Sequence, residues 1–389
     1  MRIGIFTNTY PPAVNGVANC VAAYRQGLMD RGHDVVVFAP CPGDYERRAD
    51  PDNVYRFPAL PVPLDMDYSI AFPYSRSVVK ALRRLDFDVI HTQHPVWVGA
   101  WGAWYARWAD VPLVTTVHTE YELFANMVPL PEALVEMYLR VRVTSYCNKC
   151  QVVTTAVDST RQRLQEQGVT TPVEILPNPT NIATFAAADG RAVRRRYGVN
   201  DETVLLGSVG RLSPEKNLGL LMAAVSQVLR REPHTAFLVV GEGPKKEAMQ
   251  QMAANMGIAE RVFFAGAVAH TEIPDFQAAL DLFVTTSLSE TQPLAYTEAM
   301  AAGTPVVAMK APGAEDMIED GINGLLADEE AGASGLAEVV LGLVQDPARR
   351  AEIGHRAQEW VKQFDVDHVT QRLLGIYEQA EQLAGEAPI

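Results

Sequence analysis

Two cations stand five residues apart in Gly210-Arg211-Leu212-Ser213-Pro214-Glu215-Lys216-Asn217, where an apolar run gives way to a helical pattern. A helix start offers free N–H groups and the positive end of the helix dipole, so Arg211 and Lys216 there suit a diphosphate. A solvated basic turn beside Glu215 is the competing reading. In Ser289-Glu290-Thr291-Gln292-Pro293-Leu294-Ala295-Tyr296-Thr297-Glu298-Ala299-Met300, Glu290 lies in a loop and Glu298 in the helix that follows. Carboxylates near a helix start accept sugar or ribose hydroxyls. The plain alternatives are dipole complementation for Glu290 and a solvated face for Glu298. The second is opposed by the flanking Ala295, Ala299, Met300 and Ala302.

Three further segments carry less. Tyr10-Pro11-Pro12-Ala13-Val14-Asn15-Gly16-Val17 joins a strand to a helix, and Gly16 lets backbone approach a ligand, although a plain turn reads as well. His118 ends the run Leu113–Val117, where it reads as a cleft residue or as a satisfied edge histidine; His91 and His94 are weaker versions of the same pattern. Gly241-Glu242-Gly243-Pro244 is not GxGxxG and carries little as a phosphate loop. Cys147-x-x-Cys150 has no second pair, and the short acidic pairs (Asp65 with Asp67, Asp86 with Asp88, Asp365 with Asp367) match at the rate an acidic chain produces by chance. No metal is therefore assigned.

Positioning these groups falls to strands alternating with helices. Ile3–Thr7, Asp34–Ala39, Asp88–Gln93 and Leu113–His118 read as strands, with helices over Asn19–Arg31, Ser75–Leu85 and Trp101–Trp108 between them. The pattern repeats with strands at Val204–Gly210, Ala236–Gly241, Val262–Phe264, Leu282–Thr285 and Pro305–Ala308. Helices over Leu218–Arg230, Lys245–Met256 and Pro293–Ala302 separate them. Such alternation predicts right-handed βαβ units and two doubly wound parallel sheets. Two prolines in Leu176-Pro177-Asn178-Pro179-Thr180-Asn181 mark the boundary. The expected domains are 1–176, joined by the amphipathic C-terminal helix 366–389, and 177–365.

A chain of 389 residues, 48% hydrophobic and 21% charged, buries a sizeable core, and four cysteines build no disulfide scaffold. The net charge of −14 argues against a protein that coats nucleic acid. The acidity is uneven: 16 basic against 18 acidic residues over positions 1–175, and 17 against 29 over the rest, so the first half is the one suited to an anionic surface. Pro95–Val117 is broken as a span by Arg107, Asp110 and Pro112, and the start reads as a strand rather than a leader. A cytoplasmic protein, or one peripheral on the inner face of a membrane, is expected.

Together these motifs resemble the retaining GT-B glycosyltransferases of glycosyltransferase family 4, over nearly the whole chain. The resemblance implies two Rossmann-like domains facing a cleft, with the C-terminal helix crossing back to the first. It implies a nucleotide sugar as co-substrate, no cofactor and no bound metal. Arg211 and Lys216 would hold the diphosphate, with the Gly16 backbone beside it. Glu298 would bind the ribose, and Gly266 would lie near the base. Glu290 would face the hexose, beside Thr291, Gln292, Pro293 and Leu294, with His118 on the opposite wall. Arg211 and Lys216 would stabilise the departing diphosphate. Glu290 has no evident carboxylate partner, which favours front-face attack over a covalent intermediate.

Ser289-Glu290-Thr291-Gln292 and His118-Thr119-Glu120-Tyr121-Glu122 resemble the diacylglycerol glucosyltransferase branch, which implies UDP-glucose as donor, a membrane lipid as acceptor, and Glu120 and Tyr121 near that acceptor. Phe124-Ala125-Asn126-Met127 departs from that branch. Ser75–Leu85 sets Arg76, Lys80, Arg83 and Arg84 around an amphipathic helix, a pattern that binds anionic membrane. The neighbouring Trp97, Trp101, Trp104 and Trp108 are expected to fill the core. A soluble sugar acceptor, GDP-mannose as donor, a sugar-nucleotide epimerase and a non-catalytic nucleotide-sugar-binding module are the other readings.

Overall fold

A computed structural model of the chain describes residues 1–13, 15–41, 50–61, 69–72, 75–118, 131–288 and 290–386. Glu120 and Tyr121, expected near an acceptor, lie outside these residues, as do Val14, Phe124 to Met127 and Ser289. The chain divides into an N-terminal unit, Met1–Pro179 with Val366–Ile389, and a C-terminal unit, Thr180–Asp365.

Among the described residues the N-terminal unit carries strands β1 (Arg2–Phe6), β2 (Asp34–Pro40), β3 (Val54–Phe57), β4 (Ala59–Pro61), β5 (Ser69–Ala71), β6 (Val89–Thr92), β7 (Leu113–Val117), β8 (Val152–Thr155) and β9 (Val173–Ile175). Its helices are α1 (Gly16–Asp30), α2 (Arg76–Leu82), α3 (Val98–Ala109), α4 (Glu132–Cys147) and α5 (Asp158–Glu166), with the C-terminal helix Val366–Glu386. Seven strands form one parallel sheet in the order β3-β2-β1-β6-β7-β8-β9; β4 and β5 pair apart as an antiparallel ribbon. Each long strand is a near-continuous run of Val, Ile and Phe, as a sheet covered on both faces demands. The period of two divides β2. Val36 and Phe38 join the core under α2, α3 and α4, while Val35 and Val37 join the core under α1 and the C-terminal helix. That helix buries Val369, Leu373, Ile376, Tyr377 and Ala380 at helical spacing.

The C-terminal unit carries β10 (Val204–Val209), β11 (Thr235–Val240), β12 (Val262–Gly266), β13 (Leu282–Thr285), β14 (Val306–Met309) and β15 (Gly324–Ala327), all parallel, in the order β12-β11-β10-β13-β14-β15. Its helices are α6 (Ile182–Ala186), α7 (Arg191–Arg196), α8 (Leu218–Arg231), α9 (Lys246–Asn255), α10 (Ile273–Ala279), α11 (Leu294–Ala301), α12 (Pro312–Glu315), α13 (Gly332–Val344) and α14 (Pro347–Val361). A core of Leu, Val and Met from β10, β11, β13, β14, α8 and α13 packs one face of this sheet. Both units are thus doubly wound α/β folds, as the alternation predicts.

One packing expectation is corrected. The tryptophans in and just before α3 do not all fill the core: Trp97, Trp104 and Trp108 are 45%, 57% and 64% exposed. The buried face of α3 is built from Val98, Gly99, Gly102, Tyr105 and Ala106. Gly102 seats the helix so closely that a Cβ there would lie 2.7 Å from the Phe6 ring. Trp104 and Trp108, one helical turn apart, point away from that face and stack on each other at 6.4 Å.

Candidate functional site

In open α/β sheets ligands gather where the strand order reverses, beyond the carboxyl ends of the strands. In the C-terminal unit that place lies between β10 and β13. The loop after β10 carries Arg211 and Lys216, and the loop after β13 carries Glu290, so the topology itself brings two distant motifs side by side. Thr286 fastens them, its hydroxyl donating to the carbonyls of Lys216 at 2.8 Å and Asn217 at 3.0 Å. The Lys216 ammonium donates to the Glu290 carboxylate, with the two side chains 29% and 18% exposed. Gly313 at the start of α12 backs the same loop; a Cβ there would stand 2.0 Å from the Glu290 carbonyl oxygen. Arg211 is exposed and forms no ion pair with a described residue.

The Gly241-Glu242-Gly243-Pro244 turn, weak as a phosphate loop, turns out to shape the loop beside it. The Gly210 N–H donates to Val240 O, the Leu212 N–H to Glu242 O, and the Gly241 N–H to Gly266 O, each at 2.9 Å. Gly241 and Gly243 have φ of 140° and 155°, and Cβ atoms on them would stand 1.9 Å from Gly210 O and 2.4 Å from Leu212 O. Only glycine meets both demands. Gly266 ends β12 within this stitched set.

Glu298 lies on α11 and is only partly exposed. Burial pushes its carboxyl up to about 7, against the hydrogen bond from Gln277, which lowers it. Gln277 is itself fully buried and donates to Ala295 O at 3.4 Å. Gln292 and Pro293 are buried, Thr291 and Leu294 partly so. Sequence reasoning passed over Thr286, Gly313 and Gln277, none of which belongs to a spaced motif.

In the N-terminal unit the order reverses between β1 and β6. Gly16 opens α1 there, where Asn15 caps the helix by accepting from the Ala18 N–H at 2.9 Å and donates to Thr9 Oγ1 at 2.8 Å. His118 follows β7 and its Nε2 meets Gln93 Oε1 at 2.7 Å. Burial lowers its imidazole to about 4, opposed by a hydrogen bond with Asn178, so it is neutral at pH 7. His94 packs 6.2 Å from His118, ring to ring. His91 is a different case. It is fully buried between Tyr377 Oη at 2.8 Å and Thr116 Oγ1 at 2.7 Å, a core histidine that ties the C-terminal helix to the sheet.

The four cysteines are buried and free, and burial pushes the Cys147 thiol up to about 12. Such thiols are inert. Among the described residues, no three His, Cys, Asp or Glu side chains gather as metal ligands.

Comparison with known proteins agrees with this fold. Residues 14–184 match the family model Glycosyltransferase Family 4, and residues 189–360 match Glycosyl transferases group 1. An alpha-monoglucosyldiacylglycerol synthase of Streptococcus pneumoniae is 30% identical over 84% of this chain and 75% of its own length. A GDP-mannose-dependent alpha-mannosyltransferase of Corynebacterium glutamicum is 28% identical over all of this chain and 91% of its own. Among solved structures, Anabaena Alr3699/HepE in complex with UDP-glucose superposes with a TM-score of 0.77 at 25% identity, covering 97% of this chain and 99% of that one. With both sheets, their connections and both halves of the sequence accounted for, the chain belongs to glycosyltransferase family 4 and is a glycosyltransferase of the GT-B fold.

Proposed function

We propose that this enzyme transfers glucose from UDP-glucose to diacylglycerol at an anionic membrane surface, from its cytoplasmic side, with retention at the anomeric carbon and without a bound metal. The observation that carries the reading is the pairing of Lys216 with Glu290 at the switch point of the C-terminal unit. It sets a cation for a departing diphosphate beside a carboxylate for the hexose, and Arg211 adds a second charge from the same loop. With that compensation supplied by side chains, transfer is expected to persist in EDTA. Glu298 would take the ribose. His118 would meet the hexose as a neutral imidazole.

The lipid acceptor rests on the N-terminal unit. Arg76, Lys80, Arg83 and Arg84 are exposed, carry no ion pair with a described residue, and line a surface pocket of about 290 Å³ with Val79. The exposed tryptophans of α3 stand on the same helix layer, where Tyr105 donates to Leu82 O at 3.1 Å. Indole rings favour the interfacial zone of a bilayer. No described helix is long and apolar enough to cross a membrane. The pneumococcal relative, a glucosyldiacylglycerol synthase by name, supports the same acceptor.

The deciding experiment supplies labelled UDP-glucose or GDP-mannose with diacylglycerol vesicles and partitions the label. Glucose in the organic phase, bearing an α-anomeric proton signal, is the expected result. Mannose there instead would favour the second reading, a GDP-mannose donor, which the Corynebacterium relative supports. Label confined to water with intact donor would sink the lipid acceptor.

Two results follow from the same reading. Neutralising Arg76, Lys80, Arg83 and Arg84 to glutamine is expected to weaken sedimentation with phosphatidylserine-containing vesicles by at least about tenfold, since each basic side chain near such a surface contributes about 1 kcal/mol. Unchanged sedimentation would remove this surface from the proposal. The second result is a pH dependence. Only ionised Glu298 accepts ribose hydroxyls in full, and its carboxyl titrates at about 7. UDP-glucose should therefore bind roughly tenfold more tightly at pH 8 than at pH 6, and Glu298→Gln should flatten the profile in calorimetry. The stability trend has the opposite sign. A folded value raised from 4.5 means that ionisation costs stability as pH rises from there through about 7.

A further inference from the structure

Gln93 directly follows β6, and its N–H donates to Phe6 O at 2.8 Å. It is thereby fixed between β1 and β6, where the strand order of the N-terminal unit reverses. Its side chain is fully buried. Oε1 accepts from His118 Nε2 at 2.7 Å, which leaves the His118 proton on Nε2. The amide nitrogen of Gln93, by contrast, has no hydrogen-bond partner among the described residues. A buried amide donor left unpaired is uncommon in a folded chain and is met by a ligand at functional sites. The Asn8 side-chain carbonyl accepts from the Val98 N–H at 3.0 Å, and His94 Nδ1 accepts from the Asn8 N–H at 3.2 Å. A single neutral donor brings no charge to compensate a phosphate, and it suits a hydroxyl.

We propose that Gln93 and His118 form a hydroxyl-reading pair, in which Gln93 Oε1 locks His118 as its Nε2–H tautomer and the Gln93 amide hydrogens donate to a hydroxyl of a bound neutral polyol. The inference rests on the transferase reading above and deepens it. The hydroxyl belongs either to the hexose of the donor or to the glycerol of the acceptor, and the kinetic arms below separate the two.

The test compares the full chain with Gln93→Met, which keeps side-chain length and removes both polar atoms. It also uses Gln93→Glu, which keeps the acceptor for His118 and removes the donor. Imidazole ¹H–¹⁵N spectra of the protein alone at pH 7 are expected to show His118 as the Nε2–H tautomer in the wild type and Gln93→Glu, and as a mixture in Gln93→Met. Both variants should lose about tenfold to a hundredfold in kcat/KM, as expected when one hydrogen-bonding group is left unsatisfied. A rise in KM for UDP-glucose would identify the hexose, and a rise in KM for vesicle diacylglycerol the acceptor. The Kd for UDP, which lacks both groups, should not change. An Nδ1–H tautomer in the wild type, unchanged kcat/KM in both variants, or UDP affinity falling in parallel would each overturn the pair. Absence of transfer with the expected tautomers would instead sink the proposed UDP-glucose and diacylglycerol pairing, because the spectra need no substrate.

Discussion

Lys216→Ala is expected to lower kcat/KM by about 10³-fold and Arg211→Ala by about tenfold to a hundredfold, the scale seen when a positioned charge donor is lost from a transition state. The difference comes from burial. Lys216 is mostly enclosed and already paired with Glu290, so its charge acts through little water. Arg211 is exposed, and solvent screens what it contributes. The Lys216 loss should fall mainly on kcat, because charge on the leaving diphosphate grows as the glycosidic bond breaks; the Arg211 loss should divide between kcat and the donor KM. Removing Lys216 also leaves the Glu290 carboxylate without its partner, which deepens the defect. Steady-state kinetics with UDP-glucose decides the matter. A Lys216→Ala variant that retained a tenth or more of wild-type kcat would end the leaving-group role assigned to this residue.

The sequence and the structure differ most where strand order matters. Apolar runs of four to seven residues made most of the strands in both sheets legible, because a parallel sheet buries both faces and leaves little ambiguity of phase. The Gly210–Asn217 and Ser289–Met300 motifs were legible one at a time. That Lys216 meets Glu290 was not, because nothing in the sequence between them, 74 positions apart, encodes that β10 and β13 become neighbours. The glycines of the 241–243 turn read as a poor ligand loop, since the reason for them is the backbone of Gly210 and Leu212 in another segment. The tryptophans of α3 mislead for a related reason. Residue size suggested a core, but helix phase decides, and the face that packs is defined by Gly102 and Tyr105. Gln93 sits in no motif. Its interest comes from one satisfied and one unsatisfied end, which only coordinates reveal.

Glu290→Gln separates two chemistries that share this site. If attack occurs on the front face with help from the departing phosphate, Glu290 stabilises charge on the hexose, and its amide should cost about 10²- to 10³-fold in kcat. If Glu290 instead forms a covalent glycosyl intermediate, the amide removes the nucleophile, and losses approach about 10⁶-fold. The proposal here is the first, because the sequence offers Glu290 no evident carboxylate partner for a double displacement, and Glu290 is paired instead with the Lys216 ammonium. Binding should move the other way from turnover. In the wild type, Lys216 must exchange the Glu290 carboxylate for the diphosphate; a neutral glutamine holds it less firmly, so UDP is expected to bind severalfold more tightly in the variant. Lower kcat with tighter UDP binding is a combination that general damage to the fold does not produce. Mass spectrometry after incubation of the variant and the wild type with UDP-glucose completes the distinction. A wild-type peptide carrying hexose on Glu290 would overturn front-face attack whatever the kinetics gave.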